Sequence, residues 1–131
     1  MTVTLPKGRK NISSGIPYEN VHGYSRAVRV GSDIHVSGTC VTKDYENCDA
    51  YEQAKVVLGI VEKALKDADA GFEHVVRTIC YLRDIDDKEL VARAHFEAFG
   101  EIKPATTIIQ VASLFRPWQR IEIETYAKVS E

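Results

Sequence analysis

No stretch of this chain is apolar for long enough to cross a bilayer. Its amino terminus, Met1-Thr-Val-Thr-Leu-Pro-Lys-Gly-Arg-Lys10, lacks the apolar segment that directs secretion, so a cytoplasmic protein is expected. Cysteine is scarce and odd in number. Cys40, Cys48 and Cys80 form no Cys-x-x-Cys pair, which argues against a disulfide framework or a zinc ribbon and for reduced thiols. His22, His35, His74 and His95 show no ligand spacing, so no metal is expected. A phosphate-cradling glycine loop and a nucleophile elbow are both missing, and no cofactor is expected either. Charge of neither sign dominates: 17 Lys and Arg face 19 Asp and Glu. A net charge of -2 gives no electrostatic case for a nucleic-acid or membrane partner, which leaves small molecules and proteins.

What is present is an ordinary globular composition. With 131 residues, 44% hydrophobic and 27% charged, residues 1–131 read as a single domain. The stretch Lys103–Ala127 organises the rest and reads as a hairpin, with strands Thr106–Ala112 and Arg120–Ala127 around a loop from Ser113 to Gln119. Alternation in the second strand puts Arg120, Glu122, Glu124 and Tyr126 on one face and Ile121, Ile123, Thr125 and Ala127 on the other. The ionic face either meets solvent, lines a cleft or meets another copy of the chain.

Upstream, a short strand and a loop through Gly15, Pro17 and Gly23 are expected first. Arg26–Val30 and Asp33–Ser37 are β-type runs separated by Gly31-Ser32, the spacing of a tight hairpin, which Gly38-Thr39 ends. Ala54, Val57, Leu58, Val61, Leu65 and Ala68 recur at helical spacing; Asp49 with Glu52 fits its N-terminal cap and Gly71 its stop. Val75–Leu82 reads as a strand. A second helix carries Leu90, Val91, Ala94 and Ala98, with Asp86 and Glu89 as its capping pair and Gly100 at its end. This order predicts an α+β sheet with two helices packed on one face, and an uncovered face that invites a closed homo-oligomer.

In this order and spacing, several motifs resemble the RidA/YjgF family, also described as L-PSP-type endoribonucleases or translation inhibitors. They are Gly23-Tyr-Ser-Arg-Ala-Val-Arg-Val-Gly31, Val36-Ser-Gly-Thr39, Val75-Val-Arg-Thr78 with the acidic turn at Asp84, Lys103-Pro-Ala105 and Ile121-Glu-Ile-Glu124. The resemblance implies a chorismate-mutase-like (bacillus type) α+β fold, a homotrimer with its sheets around a central barrel, and ligand clefts between subunits. Its deaminase branch hydrolyses enamines and imines, giving 2-oxo acids and ammonia.

By that resemblance Glu122 is the water-handling carboxylate, Tyr24 the aromatic wall of the cleft, and Ile108 a pocket-lining position that is often cysteine. Gly38 and Thr39 could present backbone amides to a ligand, or simply end a strand. The family's substrate-binding arginine follows Pro-Ala, and here that position is Thr106, which offers one neutral hydroxyl in place of a charged fork. Standard 2-iminobutanoate deaminase activity is therefore not carried over. Arg26 either supplies the missing cation or pairs with Glu124 on a neighbouring strand. Phe115 and Trp118 either cap the cleft or serve ordinary packing. Three functions compete: an enamine/imine hydrolase acting on a carboxylic imine or enamine, a non-catalytic metabolite-binding or regulatory trimer taking such a compound or a 2-oxo acid, and an L-PSP-type endoribonuclease or translation inhibitor.

Overall fold

The computed structural model describes residues 2–130. The strands are β1 (Arg9–Ile12), β2 (Ala27–Val30), β3 (Asp33–Thr39), β4 (Val75–Leu82), β5 (Ala105–Gln110) and β6 (Ile121–Lys128). The helices are α1 (Tyr18–His22), α2 (Ala50–Asp67) and α3 (Lys88–Phe99). All six strands join one sheet in the order β1-β2-β3-β6-β4-β5.

The turn expected at Gly31-Ser32 joins β2 to β3, with Val30 opposite Asp33 and Gly31 at φ 58°, where glycine avoids the Cβ clash. The expected hairpin between the last two strands does not form. β5 instead lies parallel to β4, with Thr106 beside Thr78, while β6 is antiparallel to both β3 and β4 and sits between them. The reason is the helix between β4 and β5. A strand, a helix and a strand close most readily as a parallel unit, which sends β5 to the sheet edge and leaves the central slot to β6.

In β6 the alternation holds along the strand. Ile121, Ile123, Thr125 and Ala127 are buried, and Glu122, Glu124 and Tyr126 are half-buried on the other face. The buried set packs with Ile34, Val36, Cys80 and Leu82 against Ala54, Val57, Leu58, Val61 and Leu65 of α2 and Val91 and Ala94 of α3. One side of the sheet is thus covered by both helices, as expected. Across the opposite side Tyr81 donates to Glu124 at 3.0 Å and Tyr126 donates to the same carboxylate; chiefly through that bond the Tyr126 phenol is pushed up to about 12.

Helix ends differ in detail from the sequence reading. The Asp49–Glu52 capping box is present in both directions. Gly71, however, is extended at φ -152°, and Asp69 (φ 62°) makes the left-handed turn after α2. Before α3 it is Asp84, not Asp86, whose carboxylate caps, accepting from the Asp86 amide in the turn that leads into the helix. Gly100 follows α3 but stays right-handed, and Lys103 (φ 55°) takes the positive φ. In both places a polar residue supplies the reversal where glycine was expected, because the following backbone is already tied down by amide bonds from Ala70 to Leu65 and from Lys103 to Phe99.

Candidate functional site

Register fixes the first feature of the site. β3 and β6 pair as Val36 with Thr125 and then Thr39 with Ile123, so β3 carries one extra residue between them. This bulge shifts the alternation and points Thr39, rather than Gly38, into the core. Gly38 then lies against the Glu122 side chain. Cys40 follows and places its Sγ 3.1 Å from Glu122 Oε1; burial first, then this hydrogen bond and the carboxylate's charge, push its thiol well above the usual range.

Arg26, immediately before β2, is 5% exposed. Its Nη1 donates to the Gly38 carbonyl and to Thr39 Oγ1, both at 2.9 Å, and its Nη2 lies 3.4 Å from the Tyr24 hydroxyl. Its Nε is buried without a partner. It does not pair with Glu124. Among the described residues the one buried acid is Glu19 on α1: burial opposes its ionisation, but hydrogen bonds from Ser14 and Ser13 and the Arg26 charge outweigh burial and hold its carboxyl below the usual range.

The loop after β5 completes the walls. Gln53, wholly buried on α2, donates to the Trp118 carbonyl at 2.9 Å and accepts from the Arg120 amide at 2.8 Å, while Gln119 and the Trp118 indole both donate to the Val41 carbonyl. These bonds hold the loop over the end of β3. The result is a cleft of about 570 Å³ on which Tyr24, Arg26, Gly38 and Glu122 all open, with Phe115 and Trp118 on its walls. Lys43 and Arg116 also line it, giving three cations against the single carboxylate of Glu122.

Thr39 reaches the cleft only through Arg26. Thr106 and Ile108 are elsewhere in the chain, on the helix-covered side of β5. Thr106 Oγ1 lies 2.7 Å from Thr78 Oγ1 and 3.4 Å from His95 Nε2, and Ile108 lines a smaller cavity of about 280 Å³ with His95, Phe99 and Lys103. The predicted set therefore divides between two places in the chain, because residues 106 and 108 share the face of β5 opposite to that of Glu122 in the sheet. Sequence reading missed Cys40, Lys43, Arg116 and Gln53 as parts of the site. Gln53 alone left a signal, a polar residue inside the apolar stripe of α2.

Among the described residues no group of His, Cys, Asp and Glu could hold a metal, and no helix is long and apolar enough to cross a membrane.

Comparison with known proteins agrees with this architecture. A solved Mycobacterium tuberculosis structure of the YjgF/YER057c/UK114 family is 40% identical, with TM-score 0.86 over 92% of this chain and 99% of that one. An uncharacterized Streptomyces coelicolor protein is 35% identical over 122 residues, 89% of this chain and 91% of the relative. The 2-iminobutanoate/2-iminopropanoate deaminase of Rattus norvegicus is 35% identical over 124 residues, 91% of this chain and 89% of the enzyme. The family model described as endoribonuclease L-PSP matches residues 17–129. With the sheet order, the bulged β3 and the Ile-Glu-Ile-Glu strand in place, the chain belongs to the RidA/YjgF family.

Proposed function

We propose that this protein binds a small carboxylate-bearing metabolite in the 570 Å³ cleft and hydrolyses an imine or enamine there. One observation carries the reading: a carboxylate, Glu122, and a buried guanidinium, Arg26, open on the same cleft, with Lys43 and Arg116 adding positive charge. Cations hold the substrate carboxylate. Glu122 orients a water and takes its proton as the oxygen bonds to the iminium carbon. The carboxyl then returns that proton to the amine nitrogen of the carbinolamine; the C–N bond breaks as C=O forms, and the hydroxyl proton leaves with ammonia as ammonium. An enamine first takes a proton from solvent on its β-carbon, which gives the iminium directly. The name of the rat relative, a 2-iminobutanoate/2-iminopropanoate deaminase, supports the reaction class.

In this reading the working form is a homotrimer with clefts between subunits. β5 is an edge strand with exposed Thr106 and Ile109, and among the described residues no helix packs on the ionic face of the sheet, so both are available to a neighbouring copy.

Freshly generated 2-aminoacrylate tests the chemistry. Ammonia release is expected to rise with protein concentration, and Glu122→Gln to lower the catalysed rate by about 10²–10⁴. Release that is unchanged by the wild-type protein sinks the reading.

A second reading is favoured by what Arg26 already does. Both Nη1 hydrogens are committed to Gly38 and Thr39, and the family's arginine position holds Thr106. A non-catalytic binding trimer would then show ligand-induced thermal stabilisation without turnover. For an endoribonuclease the description of the matched family model is the support.

A further inference from the structure

The cleft is much larger than a three- or four-carbon imino acid requires. At about 570 Å³ it falls within the range of about 300–1,000 Å³ typical of pockets that enclose drug-sized ligands. Its depth is graded: Arg26, at 5% exposure, lies at the floor, and Phe115, at 61%, stands on the rim.

The rim is aromatic and organised. Tyr18 and His22 project from α1, and Phe115 faces both from the loop after β5. The Tyr18 and Phe115 rings are 5.9 Å apart at 77°, His22 and Phe115 6.2 Å apart at 86°, and Tyr18 and His22 5.7 Å apart. Arg116 binds this group together. Its guanidinium lies 4.8 Å from the Phe115 centroid and 5.6 Å from that of Tyr18, and Nη2 donates to the Tyr18 hydroxyl at 2.6 Å. Exposed aromatic surface gathered at a cleft mouth is costly in water, and a planar apolar group that covered it would remove that cost. Edge-on rings and a guanidinium also present complementary charge to a further aromatic ring.

We infer that the cleft is built for a 2-oxo or 2-imino acid bearing an aromatic side group, with its carboxylate toward Arg26, its reacting carbon toward Glu122 and its ring in the bracket of Tyr18, His22, Phe115 and Arg116. This rests on the function proposed above and narrows its substrate class. The floor supplies the chemistry, while the rim selects the side group.

Phenylpyruvate and pyruvate, the stable 2-oxo products of an aromatic and a small substrate, are the probes for calorimetric titration of the full chain. Phenylpyruvate is expected to bind at least about 10-fold more tightly than pyruvate, from two ring contacts of ordinary strength. Phe115→Ala and Tyr18→Ala are each expected to weaken phenylpyruvate about 5-fold more than they weaken pyruvate. Both side chains are partly or mostly exposed, so their loss leaves the core intact. Equal affinity for the two acids, or phenylpyruvate affinity indifferent to both variants, overturns the inference; if 2-aminoacrylate is still hydrolysed, the parent reading survives. If neither acid binds and there is no turnover, both fall. Phenylpyruvate binding that depends on Phe115 but is accompanied by no turnover supports the ligand class and removes the hydrolase.

Discussion

The Glu122 carboxylate occupies the space that any side chain on Gly38 would need. A Cβ built on Gly38 lies 2.7 Å from Glu122 Oε2 and 2.8 Å from its Cδ, closer than real Cβ atoms approach other groups. The obstruction is the end of a flexible side chain. Gly38→Ala is therefore expected to shift the melting temperature only slightly while turning the carboxylate out of place. Displacing a catalytic group by about 1 Å costs on the order of 100-fold, and ammonia release from 2-aminoacrylate should fall by about that factor. Normal turnover in this variant would show that the Glu122 position does not matter.

Arg26 is a fold residue as well as a cleft residue. Arg26→Met removes the donors to the Gly38 carbonyl and Thr39 Oγ1 and a positive charge that favours ionised Glu19. Losing two hydrogen bonds from a charged donor is expected to cost about 3 kcal/mol, read as a lower urea midpoint with an unchanged slope.

Acid sensitivity between about pH 7 and pH 5 should trace to His95. Burial holds its imidazole below the ordinary histidine range, so the folded state resists the proton that the unfolded chain accepts. The unfolded state then binds more protons below about pH 6.5, and stability falls as pH drops through that value toward the folded-state one. His95→Gln removes this loss. Its stability deficit at pH 7, from the broken contact with Thr78 Oγ1 (2.8 Å in the wild type), is expected to shrink by pH 5 in thermal melts; a deficit that grows on acidification contradicts the assignment.

The α2 cap makes a simpler prediction. The Asp49 carboxylate accepts from the Glu52 amide at 2.8 Å, so Asp49→Ala should cost about 1 kcal/mol in urea unfolding without altering ligand affinity. A change below the error of the fit would mean that the cap is dispensable.

Local signals were legible wherever the chain answers to its near neighbours. The turn at Gly31-Ser32, the capping box at Asp49, the β-branched run Val75–Leu82 and the two faces of β6 each depend on residues a few positions apart. Strand partnership was not legible in the same way. Nothing within residues 103–127 reports that β6 pairs with β3 and β4, since those contacts cross long separations and answer to α3 and to the whole sheet. The site divided along the same line. Glu122 and Tyr24 were marked by motif and resemblance, whereas Arg116 and Lys43 became visible only once the loop held by Gln53 was folded over β3.

By itself the sequence determined which residues are oily and which ionic along each strand and helix, and hence one covered face of the sheet and one that is not. Tertiary structure alone decided that Arg26 points to Gly38 instead of Glu124, that Thr106 contacts His95 away from the cleft, and that Cys40 touches Glu122. The physical reason is the range of the forces involved. Side-chain period and backbone propensity act over a few residues, whereas a bulge in β3 and the insertion of β6 are set by the packing of the whole domain, and these place the site's polar atoms within hydrogen-bonding reach.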